Sequence, residues 1–456
     1  MKFLISSSRR RSSLLQRQLN SLLLRSCAKA LAVGLAVNLG SLTGAQAAEP
    51  LSFAQALQLA EARSGALLAQ DAAVLAAKEM ATASGQLPDP LLKLGINNLP
   101  LNGPDQFSLT RDFMTMRSVG MMQEFTREDK RRARANRFER EADTATAGRA
   151  VALANLQRDT AQAWLNGYYQ ERLRALLVNQ RDESKLQVEA ADTAYRTGRG
   201  SQADVFAARS AVAQIDDRMR QSERQIATAL TRLARWVGAA VDTTGDMLPN
   251  MDAVPFNGSE LPALLAHHPG IALIEKQEQV AAAEVDIAQA NKKPDWTAEL
   301  MFSQRGPAYS KMVSVNFSVP LQWNPSQRQD RELAAKLATV TQLSAQREEA
   351  TRGHLADIQA WLQEWQSNRA RTARFDSAQI PLAKERTQAA LAAYRGGGNG
   401  ASGGSTLTAV LEARRAELDT RMERLRLEME TAMLWAQLKY LTPDSTAPTH
   451  SLKDAP

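Results

Sequence analysis

A few groups of residues have types and spacings that could carry chemistry. His267 and His268 stand side by side before Pro269, with His354 and His450 far along the chain. Neighbouring residues on a helix point apart, so the pair is a poor chelate, and a His-Pro step reads as a helix start. His354 reads as isolated on a long helix, and His450 lies in a polar tail. The methionines come closer to a metal pattern: Met114, Met116, Met121 and Met122 in one stretch, Met301 and Met312 in a second. Thioethers suit soft Cu(I) or Ag(I), although methionines also pack strands with no ligand at all. The glycine-rich stretch 396–405 resembles a phosphate loop but lacks a preceding strand and a Gly-Lys-Ser/Thr ending. The single cysteine, Cys27, lies in a segment expected to be removed, which leaves no disulfide and no thiolate chemistry. No nucleophile stands with a base. The sequence therefore assigns no catalytic residue, no cofactor and no metal site, and the chain is not read as an enzyme.

The charge balance excludes another class. The chain carries 56 basic and 49 acidic residues. Seven of the basic ones (Lys2, Arg9, Arg10, Arg11, Arg17, Arg25 and Lys29) lie in residues 1–47, which hold no acid. The remainder is balanced, so no nucleic-acid footprint is expected. The same segment continues with the apolar run 31–37 and ends Ala45-Gln46-Ala47. That is the order of a secretory signal peptide with its cleavage site. Cys27 precedes the apolar run instead of following it, against a lipidated N-terminus. No later stretch offers the ~18 apolar residues of a membrane helix. The expectation is an exported protein, either soluble outside the cytoplasm or in a membrane as a β-barrel.

What positions these residues is a duplicated plan. Gln162-Ala163-Trp164-Leu165 recurs as Gln359-Ala360-Trp361-Leu362, Ala194-Tyr195-Arg196 as Ala393-Tyr394-Arg395, Pro88-Asp89 as Pro294-Asp295, and Ala208-Arg209 as Ala413-Arg414. The order is kept at nearly constant offset, so the chain reads as two repeats. Each runs helix, strand pair, long helix, tight turn, helix. Helices are predicted over 52–86, 128–194, 202–237, 261–291, 326–393 (interrupted at Gly353 and Pro381) and 406–441. Leu92, Leu94 and Ile96 alternate with Lys93, Gly95 and Asn97; Val313, Val315 and Phe317 alternate with Ser314, Asn316 and Ser318. Period two with one apolar face suits half-buried sheet or a membrane barrel. Four strands cannot close around water. If the strands belong to a barrel, several chains must share it. The expected domains are a signal peptide at 1–47, a first repeat at 48–238 with its β-hairpin at 91–125, and an equatorial linker at 239–260. A second repeat at 261–441 follows, with its β-hairpin at 295–322, and then a disordered tail at 442–456.

This plan resembles the TolC-type outer-membrane efflux family over essentially all of residues 50–441. The most specific element is Tyr195-x-x-Gly198-x-x-Ser201-x-x-Asp204-Val205, with a partner turn starting at Tyr394. In style it is closest to the heavy-metal, CzcC-like branch. The resemblance implies a mainly α fold with a small β part. Long helical hairpins form a periplasmic α-barrel, and four strands per chain build a twelve-stranded transmembrane β-barrel in a homotrimer. It implies an outer-membrane, largely periplasmic location and passive export, of heavy-metal cations by this branch. The expected partners are an inner-membrane resistance–nodulation–division pump, a periplasmic adaptor (membrane fusion protein) and outer-membrane lipid. A drug-efflux or type I secretion duct is the alternative within the class, and a pore-less periplasmic coiled-coil scaffold the alternative outside it.

The resemblance also locates a site. Tyr195, Gly198, Gly200, Ser201 and Asp204 on the first tip, with Tyr394, Gly397 and Ser405 on the second, correspond to the periplasmic entrance and adaptor-docking surface. By its residues alone the first turn is a well-made helical hairpin: Gly198 can adopt the left-handed conformation that ends a helix, and Ser201 with Asp204 forms a capping box. Three copies of Asp204 at a narrow axis would make a cation-favouring carboxylate ring; an outward-facing cap is the other reading. The basic run 127–134 reads as a solvated face or as a contact for anionic lipid head groups.

Overall fold

The computed structural model describes residues 50–396 and 407–444. The signal segment, Gly397, Ser405 and most of the tail, all named above, lie outside the described residues. The elements in order are α1 (Phe53–Ala62), α2 (Gly65–Ser84), β1 (Leu91–Asn97), β2 (Met116–Phe125), α3 (Glu128–Arg196) and α4 (Gln202–Val237). They continue with α5 (Leu261–Ala266), α6 (Pro269–Asn291), β3 (Trp296–Gln304), β4 (Met312–Ser318), α7 (Gln329–Arg374), α8 (Ile380–Gly396) and α9 (Leu407–Lys439). Most of the described residues are helical, and four antiparallel strands stand among them in the order β1-β2-β3-β4.

One helix sets the length scale. α3 has 69 residues, about 100 Å at ~1.5 Å per residue. No proline interrupts it, and alanine, leucine, glutamine and arginine dominate it, which are strong helix formers. Its half nearest the sheet is flanked by α2 and α6, through Arg149–Asp71 at 2.8 Å and Arg137–Glu284 at 3.6 Å. Its far half pairs with α4, where Leu173 and Leu177 pack with Ile215 and Met219. α7 is treated likewise: Lys336–Glu284 and Arg347–Glu278 tie it to α6, and further along it meets α9.

Three predicted helix runs differ in detail, each for a local reason. The run 52–86 divides at Arg63 and Ser64, because Ser64 caps a new helix by accepting from Leu67 N. The run 261–291 divides at His267 and His268, because Pro269 has no N–H to donate and fits only the first turn of α6. Gly353 interrupts nothing. The second long run is instead broken by a π turn, Phe375–Gln379, just before Pro381. Ile380 N–H donates to Phe375 O, five residues back.

The main core lies midway along the helices. Trp164, Leu165, Tyr169, Leu233, Ile358, Leu362, Trp365, Trp435 and Leu438 are buried together. Both copies of the Gln-Ala-Trp-Leu segment reach it, Trp164 and Leu165 fully and Trp361 partly. The chain's described start and end meet there. Trp164 Nε1–H donates to Leu51 O at 2.7 Å, Phe53 lies edge-on to Trp164 at 5.3 Å, and Asp444 N donates to Gln157 Oε1 at 2.9 Å. Residues between α4 and α5 wrap the same level. Leu51 N donates to Thr243 O at 3.1 Å, Thr244 Oγ1 to Glu171 Oε2 at 2.8 Å, and Trp435 Nε1–H to Ala253 O at 3.1 Å. Trp164→Ala removes a fully buried indole and its hydrogen bond, so a loss of about 3–5 kcal/mol is expected. A denaturant midpoint unchanged from wild type would contradict this account of the core.

Candidate functional site

The sheet has two chemically opposite faces. Strand register puts Leu92, Met121, Leu300 and Val315 in one cross-strand row and Leu94, Val119, Phe302 and Val313 in the next, all on one face. These side chains lie bare, with Leu94 74% and Phe317 71% exposed. An apolar face of this extent marks a surface that meets lipid or another protein. At the end nearest the helices it closes in an aromatic row. Phe125 stacks on Trp296 at 4.1 Å, and Trp296 meets Phe317 at 6.3 Å. The opposite face carries Ser118, Ser303, Ser314, Asn316 and the ion pair Lys93 Nζ–Glu299 Oε2 at 2.9 Å. β1 and β4 are edge strands, each with one unpaired ladder side. The methionines divide by parity: Met121 lies on the apolar face, Met116, Met122, Met301 and Met312 on the polar one, and Met114 in the β1–β2 loop.

Sheet and helices are joined by Asp295. Its Oδ2 accepts from Lys130 Nζ at 2.6 Å and its Oδ1 from Arg127 N at 2.9 Å. Burial alone would raise the Asp295 pKa, but the Lys130 hydrogen bond and the Arg127 amide outweigh it and hold it low. The basic run 127–134 is therefore not simply a solvated face. Lys130 is buried, and Arg131 donates to Gly85 O at 3.0 Å and to Thr126 O at 3.3 Å. Asp295 was legible only as half of the repeated Pro-Asp step; nothing in the sequence placed it against Lys130. Asp295→Ala strands a buried ammonium and should cost about 3–5 kcal/mol. Reduced thermal stability for Asp295→Ala, together with partial recovery in Asp295→Ala/Lys130→Met, checks this pairing.

At the far end, the turn after α3 has the geometry its residues prescribe. Gly198 sits at φ +71°. Arg199 N and Gly200 N both donate to Ala194 O, at 2.9 and 3.1 Å. A Cβ on Gly200 would lie 3.1 Å from that of Ala194. Ser201 N donates to Asp204 Oδ2 at 3.0 Å and Asp204 N to Ser201 Oγ at 3.2 Å, a reciprocal box. The Asp204 carboxylate is thus committed to the cap. Beneath the turn Ala191, Val205, Ala208 and Leu407 are buried, and Tyr394 packs against them from the second hairpin. The two tips therefore share one small core. Tyr195 is exposed, as is Phe206, a large apolar side chain beside the cap that the sequence reading did not single out.

One histidine expectation is overturned. His354 is not isolated: its ring lies 4.4 Å from that of His268, because α7 packs along α6. His268 caps α6 by accepting from Gly270 N on Nδ1 at 3.2 Å. Burial, then the neighbouring His354, pushes its pKa down to about 4. A base whose folded pKa lies below its unfolded value of 6.5 contributes fully above that pH, and its contribution is lost as pH falls toward about 4. Wild type should therefore lose stability between pH 6.5 and 4, and His268→Asn, which keeps a capping acceptor, should flatten that part of the profile; equal slopes would remove His268 from the account. Among the described residues no group of three or more His, Cys, Asp or Glu side chains could hold a metal ion, and no helix is long and apolar enough to cross a membrane.

No family model matches the chain, and no curated protein matches it by sequence. Solved structures do match. The outer-membrane channel OprN superposes with a TM-score of 0.71 at 16% identity, over 86% of this chain and 90% of its own. The outer membrane protein VceC from Vibrio cholerae gives 0.69 at 19% identity, over 85% and 95%. The Campylobacter jejuni CmeC outer membrane channel gives 0.69 at 12% identity, over 87% of each. The chain has the fold of these outer-membrane channels: long helical hairpins carrying a four-stranded contribution to a sheet.

Proposed function

We propose that this chain is the outer-membrane channel subunit of a tripartite efflux system. The observation that carries the reading is the four-stranded sheet, bare and apolar on one face, polar on the other, and open at both edges. Lipid satisfies the first face and a water-filled lumen the second. Neighbouring copies satisfy the edges; three chains of four strands make a twelve-stranded barrel. The helices support the same assembly. Along α7 the first buried side chain is Ile358, so the half nearest the sheet has a surface free for a neighbour. The energy for export comes from an inner-membrane pump, and the duct supplies a passive path. The capped turn at 195–204 and the neighbouring hairpin at Tyr394, continuing to Gly397 and Ser405, form the periplasmic entrance where an adaptor docks. The cargo assigned to the duct is heavy-metal cations, after the branch it resembles, with organic compounds as the alternative.

Two measurements test this. Purified protein in a planar bilayer should give stable ohmic conductance, and it should migrate in a heat-modifiable way from outer-membrane fractions. Recovery only as a soluble periplasmic species would end the channel reading. A deletion strain should be sensitive to zinc, cobalt, cadmium, nickel, copper or silver ions. Wild type should rescue it, and a variant with residues 198–204 scrambled should not. Sensitivity confined to dyes, detergents and antibiotics would keep the channel and reject the metal cargo.

A further inference from the structure

We propose that Met122, Met301 and Met312 form a thioether stair on the polar face of the sheet that takes soft monovalent cations, Ag(I) or Cu(I). The placement follows from register. Met122 pairs with Glu299, Met301 with Gly120 and Ser314, and Met312 with Ser303. Each methionine is thus one strand over and two residues along from the next. Diagonal neighbours on one face lie ~7–8 Å apart at the backbone, within reach of long side chains. The stair climbs from Met122, near the helical end of β2, to Met312 beside the β3–β4 loop.

The surroundings favour sulfur as the ligand. Ser303 and Ser314 border the step from Met301 to Met312, so no bulky group stands in it, while the Lys93–Glu299 pair spans the step from Met122 to Met301. A Cβ on Gly120 would lie 3.3 Å from the Met301 Cβ, so glycine leaves room beside Met301. The hard charges directly beside the stair are paired with each other. Lys93 is ion-paired with Glu299, which stands directly opposite Met122, so its charge is neutralised beside the stair. Packing alone does not require methionine here, because this face is the polar one and the apolar strand residues point the other way. A thioether is neutral, holds no proton to lose, and selects soft cations over zinc or calcium. Sites of modest strength in series let an ion enter and leave. That the stair lines a lumen rests on the channel reading; that it binds soft cations does not.

The test uses the full chain in detergent, in nitrate buffer without chloride, with silver nitrate as the probe. Wild type should bind Ag(I) about tenfold or more tighter than Met122→Leu/Met301→Leu/Met312→Leu, with a silver–sulfur signature in X-ray absorption that the variant loses. Leucine nearly conserves volume, so the variant should fold; Met301→Leu alone should already weaken binding. Met121→Leu, on the apolar face, should match wild type. Equal Ag(I) affinity in wild type and the triple variant, both migrating as folded protein, would overturn the proposal. Bilayer conductance in potassium nitrate separates the two readings. With channels open in both proteins, silver should slow current through wild type only. Absent conductance with the binding difference intact would reject the channel and keep the site. Normal conductance with equal binding would do the reverse.

Discussion

Alternation of side chains along an extended backbone is the constraint from which the rest follows. Once Leu92, Leu94, Val313 and Val315 point one way, Lys93, Gly95, Ser314 and Asn316 must point the other. Four strands cannot wrap either face around itself. Several features of the molecule serve that unfinished sheet. Prolines stop the helices before it, Asp295 fastens it to α3 through Lys130, and the aromatic row of Phe125, Trp296 and Phe317 marks where apolar surface gives way to helix.

The helices face a different difficulty. A helix as long as α3 gains little from its own propensity and must be held by packing at several heights. The principal hold is the core around Trp164 and Trp435, where both repeats, the linker and both described chain ends converge. Smaller clusters repeat the hold further along, at Leu177 with Met219 and at Ala191 with Val205. Between them the surface is ionic, and exposed pairs such as Arg174 with Glu223 add little stability. The chain is pinned at intervals instead of packed continuously, which leaves lateral helix faces exposed.

Much of this was legible in the sequence because it depends on periodicity and punctuation. Period two gave the strands, Pro88 and Pro294 the helix stops, and Gly198 with Ser201 and Asp204 the capped turn. The illegible parts depend on contacts between segments far apart in the chain. His354 looked solitary because its partner, His268, belongs to another helix. Lys130 looked like one more exposed cation in a basic run because Asp295 lies far along the sequence. Methionine spacing suggested a cluster, whereas strand parity sends Met121 to one face and Met122 to the other. Helix breaks were also misplaced: Gly353 lies in an exposed stretch that tolerates it, while Pro381 acts through the residues before it.

The π turn at Phe375–Gln379 has a geometric consequence for the duplicated plan. A single residue absorbed into a helix advances its screw by about 100°. The stripe that α7 turns toward α9 is therefore not the stripe that α8 continues. The first repeat has no such step, since α3 runs unbroken to Arg196. Beyond Phe375 the second run therefore differs from α3 by this one step.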